Sequence, residues 1–253
     1  MTEGATGGWF PSDIGTGSAE YLLFCFPHGG GGASAFRHWK AELSPRIEVV
    51  PVQLPGRESR FTEPLLTSAE AVVTALLKPL SAHAREPFAL FGHSMGALLA
   101  YEAAVALTEQ GLPPARLFAS GHHPPHLPNA TPALRGATDQ EFAERLADFG
   151  GTPAELLDNP VMMDCLMPRL RADFEICETY RHSQRSPIPV PITVFAGRED
   201  PAVDVSELGR WGELTTEGAE VHILDGGHFC HVGPNEAGVR EILAESLEGT
   251  SQR

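Results

Sequence analysis

Six short apolar runs punctuate the chain, at residues 22–26, 47–52, 88–91, 117–120, 192–196 and 221–224. Each has the length of a strand, and such short apolar runs suit strands covered on both faces. Helical segments lie between most of them. Thr67 and Glu70 have the spacing of a capping box, opening a helix that runs towards Ala84, with Pro79 bending or ending it. Residues 97–110 are apolar almost all round, as in a helix sandwiched within layers, and Gly111, Pro113 and Pro114 stop it. Residues 235–247 form a closing helix. Strands alternating with helices predict an α/β protein, with a mostly parallel sheet and helices on both faces.

One region breaks the alternation. Residues 124–185 contain no convincing strand but three helix starts: Thr138 with Glu141, Thr152-Pro153-Ala154-Glu155, and Asn159-Pro160. The third helix continues to about His182 with Pro168 inside. A helical insertion of this size between two strands is expected to be a lid. The chain then divides into an N-terminal arm (1–20), a first core part (21–123), the lid (124–185) and a second core part (186–253). The arm is rich in Gly, Ser and Thr and reads as mobile. Trp9 and Phe10 are its exceptions, open to docking on the body or to belonging to the tail.

Composition changes this picture little but excludes several functions. Of 253 residues, 42% are hydrophobic and 20% charged, ordinary for a globular protein. The 18 basic residues against 33 acidic ones give a net charge of −15. Such a chain repels nucleic acid and anionic lipid, so neither is expected as a partner. No secretory signal is evident at the N-terminus, and the most apolar stretch, 88–107, is interrupted by Gly92, His93, Ser94, Gly96 and Glu102. Cys25, Cys165, Cys177 and Cys230 are scattered without a CxxC pair, consistent with reduced thiols and a cytoplasmic location.

The chemistry concentrates in Gly92-His93-Ser94-Met95-Gly96, a G-x-S-x-G sequence between an apolar strand and a helix. That is the context of a nucleophile elbow. A sharp turn would expose the Ser94 hydroxyl at a helix N-terminus, with the Met95 N–H aimed where an oxyanion would form. A serine needs a base, and in this chain order the acid and then the histidine follow. His228, in the Gly-Gly loop after the last apolar run, is the expected base, with His231 as alternative. Asp200, just past the 192–196 strand, is the expected acid, ahead of Glu199 and Asp204. The first-strand loop His28-Gly29-Gly30-Gly31-Gly32 offers a second oxyanion donor, Gly29, with Gly30 as alternative. His122, His123 and His126 lack a carboxylate or thiolate pair nearby and read as a solvated loop, so no metal is expected. Arg169, Arg171, Arg181 and Arg185 are either a solvated face or a place for an anionic partner.

These stations resemble the type II thioesterases that accompany polyketide and nonribosomal peptide synthases. The resemblance rests on Phe26-Pro27-His28-Gly29-Gly30, Gln53-Leu54-Pro55-Gly56-Arg57, residues 90–98, Phe149-Gly150-Gly151-Thr152-Pro153 with Glu155, Gly197-Arg198-Glu199-Asp200 and Gly226-Gly227-His228-Phe229. It implies an α/β-hydrolase fold with a helical lid and the triad Ser94, Asp200, His228. It also implies a task, removing stalled or wrong acyl groups from the phosphopantetheine arm of acyl or peptidyl carrier proteins. No bound cofactor is then required, because the arm belongs to the substrate, and a monomer is expected. The lid residues Leu146, Phe149, Leu157 and Met163, with Leu156, Met162 and Leu166, are candidates for the acyl chamber. This chain has Gly29 where the family commonly has Ala, and Cys230 where a second aromatic is frequent. A general carboxylesterase, or a ligand-binding protein on the same fold, are the competing readings.

Overall fold

In a computed structural model, residues 8–11, 14, 19–84, 87–129 and 133–248 are described. The elements run β1 (Tyr21–Phe26), α1 (Arg37–Leu43), β2 (Ile47–Pro51), α2 (Ala69–His83), β3 (Phe88–His93), α3 (Met95–Glu109) and β4 (Leu117–Ser120). Then follow α4 (Asp139–Phe149), α5 (Ala154–Leu157), α6 (Pro160–Thr179), β5 (Ile192–Gly197), β6 (Ala219–Leu224) and α7 (Glu236–Glu248). The six strands form one parallel sheet in the order β2-β1-β3-β4-β5-β6. All six apolar runs are therefore strands, each within a residue or two of the expected bounds.

The apolar character of the inner strands has its physical cause in this layering. Along β1, Leu22, Phe24 and Phe26 point into one apolar layer, with α2 and α3. Tyr21, Leu23 and Cys25 point into the other, with Trp39 and Leu43 of α1 and Val239, Leu243 and Leu247 of α7. Both faces are dry, so both phases of the strand are apolar. The helix α3 crosses the middle of the first layer and is buried on nearly all sides. β6 is the edge strand and is only half buried.

Two local expectations shift. Helix α2 is capped by Ser68, whose side chain accepts from the Ala71 N–H, rather than by Thr67. Starting one residue later keeps Ala69, Val72, Val73 and Leu76 on one buried face, and that packing overrides the Thr67–Glu70 spacing. Pro79 does not end the helix, which continues four residues to His83. The expected arm falls partly outside the described residues, but Trp9 and Phe10 are buried. Phe10 packs on Phe24, the Trp9 carbonyl accepts from the Gln53 N–H, and the Arg60 guanidinium lies over the indole.

Between β4 and β5 the described residues of 124–185 form α4, α5 and α6 and no strand, as expected. Thr138 and Glu141 make the reciprocal capping box, and Asn159 caps α6 with Pro160 in its first turn. Phe142, Leu146, Met163, Met167 and Leu170 give this insertion a small core of its own.

Candidate active site

Ser94 stands between β3 and α3 with φ 54° and ψ −123°, a conformation that L-residues rarely adopt. The turn is possible only because its neighbours lack side chains. A Cβ on Gly92 would lie 2.0 Å from the Gly96 carbonyl oxygen, and one on Gly96 would lie 2.2 Å from that of Phe26. The Ser94 hydroxyl lies 2.9 Å from His228 Nε2, and His228 Nδ1 lies 2.8 Å from Asp200 Oδ2. With the imidazole proton on Nδ1, the serine donates to the ring and the ring donates to the carboxylate. Asp200 is buried, and its Oδ1 accepts from the Ala202 N–H.

The acid and histidine loops are brought together by Gly197, where a Cβ would fall 2.1 Å from the Gly227 carbonyl oxygen. The Glu199 N–H donating to the Gly226 carbonyl binds the same two loops. The alternatives fall elsewhere. Glu199 is exposed, Asp204 caps the 3-10 helix Val205–Leu214, and His231 packs 4.0 Å from the His93 ring, behind the site.

Gly29 and Met95 line the same cavity as Ser94, and among the described residues neither N–H is spent on a protein acceptor. Gly30 is different. Its N–H donates to Asp173 Oδ2 at 2.6 Å and is not free for an oxyanion. The structure thus separates the two glycines that the sequence left open.

Asp173 is a residue that sequence reasoning missed. Wholly buried on α6, it meets Arg57 in a bidentate pair, at 2.7 and 2.8 Å. Arg57 also donates to the Gly31 and Pro55 carbonyls. Gln53 accepts from the Ala33 N–H and donates to the Leu54 and Arg57 carbonyls. The Gln53–Arg57 motif is therefore a brace that ties the glycine loop to the insertion. The available signal was an acid midway between Leu170 and Ile176, in the buried phase of α6.

The cavity has a volume of about 260 Å³ and runs from Ser94 and His228 beneath α4, α5 and α6. Of the expected chamber residues, Leu146 and Phe149 line it, and the Phe149 ring is 5.0 Å from that of His228. Leu157 and Met163 do not: they pack into the insertion's own core, because the helix turns carrying them face inward. Met162 is exposed. Leu156, Leu166, Leu170 and Phe174 complete the apolar wall. The Phe149–Pro153 motif joins this wall to the catalytic loop. Gly150 ends α4 in the left-handed conformation, and Gly151 lies against the Phe229 ring.

Histidines crowd the site. Rings of His93 and His228 are 4.9 Å apart, and His93 Nδ1 is 3.1 Å from the Ser120 hydroxyl. Burial pushes His28 down to about 4 and His122 and His231 down to about 3, with neighbouring histidines adding to the effect. His93 is lowered well below its ordinary value for the same reasons. The expected solvated loop at 122–126 is a correction: His122 is buried and lines the cavity, His123 stacks on it, and His126 meets Glu213. Among the described residues no group of His, Cys, Asp and Glu is arranged to hold a metal ion.

A strained serine after the third strand, an imidazole and a buried carboxylate at the C-terminal edge of a parallel sheet define a serine hydrolase of the α/β-hydrolase class. More narrowly, the chain belongs to the thioesterase domain family, matched over residues 22–248. It is 41% identical over 225 residues to "Linear gramicidin dehydrogenase LgrE" of Brevibacillus parabrevis, covering 87% of this chain and 86% of that protein. Among solved structures it is similar to RedJ, a thioesterase from the prodiginine pathway of Streptomyces coelicolor, with TM-score 0.83 and 36% identity over 94% and 92% of the two chains. It is also similar to the type II thioesterase BorB from the borrelidin cluster, with TM-score 0.83 and 31% identity over 90% and 92%.

Proposed function

We propose that this protein hydrolyses acyl thioesters carried on the phosphopantetheine arm of acyl or peptidyl carrier proteins, releasing groups that stall a synthase. The reading rests above all on the aligned Ser94, His228 and Asp200, spaced 2.9 and 2.8 Å, at the foot of an apolar cavity. Ser94 Oγ attacks the thioester carbonyl as His228 Nε2 takes its proton. Asp200 remains ionised, fixes the tautomer and stabilises the imidazolium. The N–H groups of Met95 and Gly29 hold the tetrahedral oxyanion, each contributing about 3 kcal/mol to the barrier lowering. The intermediate collapses, the sulfur leaves with the proton from His228, and a water activated by the same ring releases the acid. These groups supply every proton and charge the reaction needs, so neither a metal nor a resident cofactor is invoked. The inserted helices serve as the lid over the acyl group.

The dehydrogenase in one relative's name finds a poor match in the glycine loop. A dinucleotide pyrophosphate needs free N–H groups there, whereas the Asp173 carboxylate already occupies that of Gly30. The carrier-protein partner, a monomeric state and a cytoplasmic location belong to the same proposal. Among the described residues no helix is long and apolar enough to cross a membrane.

The test compares acyl-pantetheine thioesters with the matching oxygen esters, using the wild type and Ser94→Ala. Thioester turnover is expected to dominate and to fall at least about 10⁴-fold in the variant. Preference for oxygen esters would point to a carboxylesterase. Undiminished turnover in folded Ser94→Ala would remove the nucleophile.

A further inference from the structure

The four arginines that the sequence left between a solvated face and an anion site separate cleanly in the structure. Arg171 donates to the Ala137 carbonyl and pairs with Asp139. Arg181 donates to the Glu178 and Tyr180 carbonyls. Arg185 forks onto Glu102 at 3.1 and 3.0 Å. Arg169 has no hydrogen-bond or ion-pair partner among the described residues, and it lines the cavity that holds Ser94 and His228. Its Nε is buried and unpartnered.

The charges around Arg169 are already committed. Asp173 is neutralised by Arg57 and by the Gly30 N–H. Glu58 accepts from the backbone and hydroxyl of Ser34. Elsewhere on the cavity wall Arg145 sits 3.6 Å from Asp148, and Glu178 accepts from the Leu134 and Arg135 N–H groups. Burial and the nearby Arg57 lower the pKa of Arg169, and the opposing pull of Asp173, Cys165 and Glu58 offsets this only in part. A half-buried guanidinium with an unsatisfied donor is costly in a free protein. Its planar fork of donors fits a carboxylate or phosphate. Arg169 also belongs to the turn of α6 that stands over the first loop, where Leu170 crowds Gly30 and Asp173 lies against Gly29.

We propose that Arg169 is the anion-recognition residue of the cavity, forking onto an oxyanion group of the thioester substrate. Two parts of such a substrate carry this chemistry: the free carboxylate of a dicarboxylic acyl group and the phosphate of the pantetheine arm. The proposal rests on the thioesterase reading. It adds a specificity that apolar walls alone cannot give.

Four small thioesters separate the possibilities: malonyl and propionyl groups, which match in carbon count, each on pantetheine and on phosphopantetheine. Wild type, Arg169→Gln and Arg169→Lys are compared by kcat/KM, with thermal melting to confirm folding. In Arg169→Gln the two substrates bearing the recognised anion are expected to fall on the order of 10–100-fold, and the other two to stay within about twofold. Lysine, which keeps the charge without the fork, should retain part of the loss. A fall confined to the malonyl pair assigns the carboxylate, and one confined to the phosphopantetheine pair assigns the phosphate. An equal fall on all four, or no fall, overturns the proposal while leaving thioester hydrolysis standing. Should glutamine prevent folding, the same pattern is read from the lysine variant. Wild type inert on all four but active on oxygen esters removes the thioesterase reading, and this proposal with it.

Discussion

At Gly29 and Gly30, neighbours in sequence, the chain answers differently to the same change. A Cβ on Gly29 would meet Asp173 Cβ at 3.6 Å, an ordinary contact, so the alanine common in the family fits here. Gly30 has φ +79°, and a Cβ there would fall 2.6 Å from Leu170 Cδ2. Gly29→Ala is therefore expected to keep thioester turnover and to change stability by less than about 0.5 kcal/mol. Gly30→Ala should cost on the order of 1–3 kcal/mol and loosen the glycine loop, since alanine resists positive φ. Urea melts and kcat on a pantetheine thioester check both, and equal behaviour of the two variants would contradict the strain read at Gly30 alone. At this scale the sequence was highly legible. Ser94, Asp200 and His228 each follow a strand end in the expected chain order, and the structure brings the three side chains within hydrogen-bond distance. What the sequence could not show was which N–H is already taken, since Asp173 lies 143 residues from Gly30.

Among the elements, the decisive contact is between the loop after β2 and helix α6. Arg57 and Asp173 are almost fully buried, and their pair holds the glycine loop against the insertion. Removing one partner strands the other's charge in a site with little water. Asp173→Ala or Arg57→Ala should each destabilise by about 3–5 kcal/mol. The double change Arg57→Met with Asp173→Leu should recover much of that. Chemical denaturation decides it, and single losses under about 1 kcal/mol would mean that the brace is dispensable. Local chemistry announced α4 and α6 through Thr138–Glu141 and Asn159–Pro160, because a cap needs only residues three or four apart. Helix α2 starts one residue after the Thr67–Glu70 spacing predicts because the burial of Ala69 and Val72, a tertiary matter, fixes its register. Leu157 and Met163 face the insertion's core rather than the cavity for the same reason. An apolar residue on an insertion helix can face the chamber or the insertion's own core, and composition does not choose.

Over the whole molecule, burial of so many neutral histidines makes stability depend on pH. An unfolded histidine takes its proton near pH ~6.5, whereas His28 resists to about 4 and His122 and His231 to about 3, with His93 shifted the same way. Below pH ~6.5 the unfolded chain thus binds more protons than the folded one, so stability is full above about pH 7.5 and falls as pH falls. Each such group contributes a loss on the order of 1 kcal/mol by pH 5.5. Urea midpoints across pH 7.5 to 5.5 should decline steeply, and a flat profile would show that these rings are not held neutral. The sequence by itself determined the parallel sheet, its layering, the inserted helices and the loops that carry Ser94, Asp200 and His228, because strand periodicity, caps and turn chemistry are local. Only the tertiary structure decided that Trp9 and Phe10 dock, that Asp173 meets Arg57, that His122 is buried, and that Arg169 stands unpaired in the cavity. Those outcomes depend on which distant surfaces close over one another, and burial and charge pairing across the fold are not encoded in the spacing of residues along a chain.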